Sequence, residues 1–139
     1  MKFSAIITAG GVSSRFGNTN KLLEKINGKE IIKYTVDAFI ATGFEDIIIC
    51  ANKAIIKDLD EIFSPNNSVR IIEGGVTRQE SVYKGLCVAN CDYVLIHDGA
   101  RPLVSSQIIK DTMDLVITKK AVSVMTKTID TIKKVDENG

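Results

Sequence analysis

Residues 46–51 read DIIICA, and positions 47–51 are apolar without interruption. A strand with one wet face alternates apolar and polar side chains, so this run is expected as a parallel strand buried on both faces. Shorter, largely apolar stretches at 5–7, 69–72, 93–96 and 122–125 read as further strands. Between them lies helical periodicity at 30–42, 55–63, 77–88 and 106–118. In the first of these helices Ile32, Val36, Phe39 and Ile40 share one face, and Gly43 supplies the stop. In the third, Thr77-Arg78-Gln79-Glu80 is a capping-box pattern, with Val82, Leu86 and Ala89 expected to face the core. Residues 22–26 read as a short extended piece ending in an Asn27-Gly28 turn. Strand and helix alternate, which predicts an α/β fold: a single Rossmann-like, three-layer domain with a mostly parallel sheet covered on both faces. A chain of 139 residues fits one such domain.

Ligands of open α/β sheets bind at the C-terminal strand ends, and there this sequence places its unusual residues. The first strand breaks into Gly10-Gly11, followed by Ser13, Ser14, Arg15, Gly17 and Lys21. Glycines let the backbone approach a ligand, and free amides flanked by Arg15 and Lys21 suit a polyphosphate. The spacing fits neither Gly-x4-Gly-Lys-Ser/Thr nor Gly-x-Gly-x-x-Gly, so the Walker and dinucleotide readings fail. A glycine-rich turn with two solvated cations stays open as the plain alternative. The third strand runs into Gly74-Gly75, followed by Arg78 and Ser81, and the fourth into Asp98 and Arg101. Asp98 reads as a helix cap or turn former, or as a Mg²⁺ ligand, since hard cations take carboxylates together with substrate phosphates. Its company at matching strand ends favours the second.

A net charge of +1 without a basic run, and few aromatics, argue against a nucleic-acid partner. No apolar run is long enough to span a bilayer, and no membrane partner is expected. The start, Met1-Lys2-Phe3, leads directly into a strand without signal-peptide features, so a cytoplasmic location is expected. Cys50, Cys87 and Cys91 read as packing residues, and the lone His97 excludes a histidine-rich zinc site.

Three stretches, TAGGVSSRFGNTNK, GGVTRQESVYKGL and VLIHDGARP, together resemble the 2-C-methyl-D-erythritol 4-phosphate cytidylyltransferase family of the non-mevalonate isoprenoid pathway. The first alone also resembles nucleotidyltransferases that use GTP or UTP, including the molybdenum-cofactor guanylyltransferases. The resemblance implies a nucleotide-diphospho-sugar transferase type of fold, with residues 1–127 as the nucleotide-binding domain and 128–139 as the start of a protruding β-arm used for dimerisation. It implies transfer of CMP from CTP to a sugar-alcohol phosphate, with Mg²⁺ as cofactor and a homodimer as the family's assembly. Ala9, Gly10 and Gly11 match backbone contacts to the nucleotide, and Arg15 and Lys21 match the catalytic grip on the triphosphate. Gly75 and Ser81 match cytosine readers, and Arg78 belongs to the same nucleotide-binding set. Asp98 matches the metal ligand and Gly99 a position near the ribose. Arg101 and Thr131 match the sugar-phosphate side, Thr131 reaching across to a partner subunit. Ser13, Asn20 and Val76 depart from the family pattern, and Val76 stands where an acidic residue is common. The resemblance covers the N-terminal part of a family member, so this chain is expected to be a fragment, active or inactive. A ribitol-5-phosphate cytidylyltransferase and a non-catalytic nucleotide-binding module are the alternatives.

Overall fold

The structure, a computed structural model, describes residues 1–11, 20–131 and 133–136. Strand β1 (Phe3–Ala9) is followed by a hairpin of β2 (Lys25–Ile26) and β3 (Lys29–Glu30), which leads into helix α1 (Ile31–Ile40). Then come β4 (Ile47–Ala51), a 3₁₀ turn at Lys53–Ile55 with helix α2 (Ile56–Phe63), and β5 (Val69–Glu73). Helix α3 (Arg78–Val88), β6 (Tyr93–Asp98) and α4 (Ser106–Lys119) complete the described elements. The hairpin turns through Asn27 and Gly28, both at positive φ, the geometry that matches strand twist in a two-residue loop.

β1, β4, β5 and β6 form one parallel sheet in the order β5-β4-β1-β6. In its register Ala5 lies between Ile47 and Leu95, and Thr8 lies between Cys50 and Asp98. The central strands bury both faces, as the DIIICA run requires: Ile47, Ile48, Ile49, Cys50 and Ala51 are all fully buried. Alternate residues sort into two cores. Ala5, Ile7, Ile47 and Ile49 join Ile32, Val36 and Phe39 of α1, Leu59 of α2 and Ile109 of α4. Ile6, Ile48 and Cys50 form the smaller core on the other face, where α3 lies. The sheet is thus the middle of three layers, and the expected α/β architecture holds.

Three expectations are corrected. Val82 and Leu86 do not carry the packing of α3: its buried residues are Ser81 and Gly85, while Leu86 is 44% exposed, whereas half-buried Ala89 at the helix end packs against the smaller core as expected. Close approach is the reason, because a Cβ at Gly85 would lie 2.9 Å from Ile6 Cγ2 and 3.0 Å from Cys50 Sγ. Residues 122–125 do not form a fifth strand. Val124 and Met125 are exposed, and this stretch pairs with no strand among the described residues, so its β-propensity finds no ladder. Of the cysteines, only Cys50 is a core residue; Cys91 is half-buried and Cys87 is exposed.

Candidate functional site

β1, β5 and β6 end on the same side of the sheet because they are parallel, and their following loops enclose a cleft of about 580 Å³. From the first loop Ala9, Gly10, Gly11 and Lys21 line it. Gly75, Arg78 and Ser81 line it from the third loop and the start of α3, and Asp98 and Arg101 from the fourth. Nine sequence-predicted site residues therefore share one cavity.

Three are placed otherwise. Arg15 lies outside the described residues. Gly99 is buried beneath the cleft: its N–H donates to the Thr8 carbonyl at 2.9 Å, and its carbonyl accepts from the buried Thr35 hydroxyl at 2.9 Å. A Cβ there would lie 3.1 Å from the Thr8 oxygen, so Gly99 carries the strand past β1. Thr131 is exposed, belongs to no element and does not line the cleft.

Asp98 is the electrostatic centre. Arg78 Nε donates to its Oδ1 at 3.1 Å, Arg101 Nε donates to Oδ2 at 2.9 Å, and the Thr8 hydroxyl donates to Oδ1 at 3.1 Å. Partial burial pushes this carboxyl up, but the hydrogen bonds from Arg78 and Thr8 and the two guanidinium charges outweigh it and hold it below its usual range. Thr8 is the residue that sequence reading missed here; its register opposite Asp98 on the neighbouring strand is the signal that identifies it. Lys21, Arg78 and Arg101 against Asp98 leave an excess of positive charge around the cleft, the arrangement that attracts a polyanion.

The third loop is held from α3. Gly74 N–H continues the β-ladder to the Ala51 carbonyl at 2.8 Å, and the Gly74 carbonyl accepts from Lys84 Nζ at 2.9 Å. Gly75 N–H donates to Ser81 Oγ at 2.9 Å, and the Ser81 hydroxyl is aimed at the Thr77 carbonyl at 3.0 Å. Thr77 caps α3 by accepting from Glu80 N–H at 3.1 Å, as the capping box predicts. The reciprocal half of the box is displaced by one residue, since Glu80 Oε2 accepts from Val76 N–H at 2.8 Å.

No group of three or more His, Cys, Asp or Glu side chains able to hold a metal occurs among the described residues. Asp98 could serve an ion such as Mg²⁺, which keeps waters and takes most of its remaining oxygens from bound phosphates, by sharing or exchanging the bonds its oxygens accept from Arg78, Arg101 and Thr8. His97, next in sequence, turns away from this chemistry: its Nδ1 is buried without a partner among the described residues, and its ring meets the Phe39 ring edge-on at 5.6 Å.

Comparison with known proteins gives a consistent result. Residues 3–139 match the family model described as IspD: 2-C-methyl-D-erythritol 4-phosphate cytidylyltransferase. A relative of that name from Clostridioides difficile is 38% identical over 146 aligned positions, covering 97% of this chain and 60% of the relative. One from Clostridium perfringens is 43% identical over 116 positions, covering 79% of this chain and 52% of the relative. The crystal structure of 4-diphosphocytidyl-2C-methyl-D-erythritolsynthase from Anaerococcus prevotii superposes with a TM-score of 0.86 at 28% identity, over 99% of this chain and 61% of that one. The chain thus spans about three-fifths of the length of such relatives.

Proposed function

The chain belongs to the 2-C-methyl-D-erythritol 4-phosphate cytidylyltransferase family, and from that membership we propose that it forms the nucleotide half of a site for CMP transfer from CTP to 2-C-methyl-D-erythritol 4-phosphate. The observation that carries this reading is the convergence of Lys21, Arg78, Arg101 and Asp98 on one cleft beside the Gly10-Gly11 turn. A triphosphate needs cations and amides at one end, and a base needs a backbone reader at the other. Gly75 and Ser81 stand in the position of that reader.

In the proposed reaction an oxygen of the sugar phosphate attacks the α-phosphorus of CTP in line. A new P–O bond forms, the bond to the bridging oxygen of the β-phosphate breaks, and the electron pair leaves with pyrophosphate. The attacking phosphate monoester is anionic at neutral pH, so no protein base has to remove a proton. What the chain supplies is positioning and charge. Lys21, with Arg15 assigned the same role from the sequence, meets the negative charge that grows on the leaving pyrophosphate. Arg101 orients the incoming sugar phosphate, and Thr131 serves that same substrate from the arm toward a partner subunit. Asp98 is the ligand proposed for Mg²⁺, which would offset phosphate charge when bound. Two arginines already hold that carboxylate ionised at the wall of the cleft.

The test is calorimetric titration of the chain with CTP in the presence of Mg²⁺, with UTP and GTP as controls. CTP-selective binding is the expected result. Preference for GTP would transfer the reading to the guanylyltransferases, and absence of nucleotide binding would remove the half-site.

A further inference from the structure

Val76 offers no side-chain hydrogen-bonding group and is 98% exposed, so the Gly75–Val76 turn can offer a base its backbone alone. Backbone readout depends on where the carbonyls point. Three consecutive residues of this loop each give one backbone atom to a side chain of α3: the Gly74 carbonyl to Lys84, Gly75 N–H to Ser81 and Val76 N–H to Glu80. Among the described residues the Gly75 carbonyl is left with a 3.5 Å approach from the Ser81 hydroxyl, whose nearer acceptor is Thr77. Glu80 does more than take one N–H, because its stem lies flat on the loop: a Cβ on Gly75 would come within 2.3–2.6 Å of Glu80 Cβ, Cγ and Cδ. Glu80 nevertheless does not line the cleft.

We propose that Glu80 is a positioning residue for base selectivity, bracing the Gly75–Val76 turn from behind so that the Gly75 carbonyl accepts from the exocyclic amine of cytosine. Uracil presents a carbonyl at the same position and meets like polarity there. Glu80 thus acts through the backbone, without touching the nucleotide, and Lys84, 3.8 Å from Glu80 Oε1, supports its orientation. This inference rests on the cytidylyltransferase reading of the cleft.

The experiment compares Glu80→Ala and Glu80→Gln with the unaltered chain, measuring Kd for CTP, UTP and inorganic tripolyphosphate together with the thermal midpoint. In Glu80→Ala the CTP-to-UTP preference should fall about five- to tenfold, the loss expected when one neutral hydrogen bond to the base is no longer held in place. Tripolyphosphate binding should stay unchanged, and Glu80→Gln, whose amide oxygen can accept from the same N–H, should keep most of the preference. An unchanged preference in Glu80→Ala, or an equal loss for CTP, UTP and tripolyphosphate, overturns the positioning role and leaves the cytidylyltransferase reading standing. If the unaltered chain does not prefer CTP to UTP, that reading falls and the inference falls with it.

Discussion

Asp98 shows how one residue can serve fold and site together. Its carboxyl is held below the usual value, so the folded state releases this proton more readily than the unfolded one. The stabilisation is therefore present above the unfolded value near 3.8 and is lost as pH falls through the lower folded value. Asp98→Asn should flatten the acid limb of the stability curve in that window, read by thermal unfolding between about pH 5 and 2. A parallel acid limb would mean that the arginines do not hold this carboxylate. His97 works oppositely in origin and alike in sign: burial lowers its pKa, so the unfolded chain takes the proton first and stability declines as pH drops below 6.5. Lys21 separates phosphate from base. Lys21→Ala should weaken CTP by about 1–3 kcal/mol while changing cytidine binding little, because a charge-assisted contact to phosphate is lost and no contact to the base. Equal losses for both ligands, read by calorimetry, would take Lys21 away from the triphosphate.

Among the elements, α3 is where sequence and structure diverge most instructively. Apolar periodicity selected Val82 and Leu86 as its inner face, but apolarity is only a proxy for burial. Gly85 is inward because the helix lies too close to Ile6 and Cys50 for anything larger, and Ser81 because its hydroxyl holds the Gly75 N–H. Gly85→Ala should therefore destabilise the fold by about 1–3 kcal/mol despite the better helix propensity of alanine, since overpacking against a β-strand outweighs a gain of about 1 kcal/mol. Denaturant unfolding checks this, and a stabilised variant would mean that α3 can lift without cost. β1 and β4 were legible because continuous apolar runs state their own burial. Residues 122–125 were not, because strand propensity says nothing about whether a neighbouring ladder exists. The site divides the same way. Glycine pairs and charges at strand ends announced themselves locally, whereas the folding of Arg78 and Arg101 onto one carboxylate, and Gly99 beneath the floor, follow from distances between elements.

For the whole molecule, the cysteines provide a measure of how ligand binding and global stability are joined. Cys50 sits in the central strand β4, fully buried, and burial pushes its thiol up to about 11, so it is protonated and shielded in the folded state. Cys87 is exposed near the C-terminal end of α3. A thiol reagent should modify Cys87 at once and Cys50 only through openings that separate α3 from the sheet or unfold the chain. Where closing outpaces modification, the Cys50 rate follows the free energy of that opening. The cleft is assembled by β1, β5, β6 and the start of α3, so any such opening also dismantles it. CTP with Mg²⁺ at one hundred times its Kd should then slow Cys50 modification about one-hundredfold, equivalent to about 2.7 kcal/mol, while leaving Cys87 unchanged. Slowing of both thiols would indicate reagent exclusion by the ligand. No slowing of Cys50 at saturating CTP would mean that the opening spares the cleft, and that α3 and the loop it braces are not one cooperative unit with the sheet.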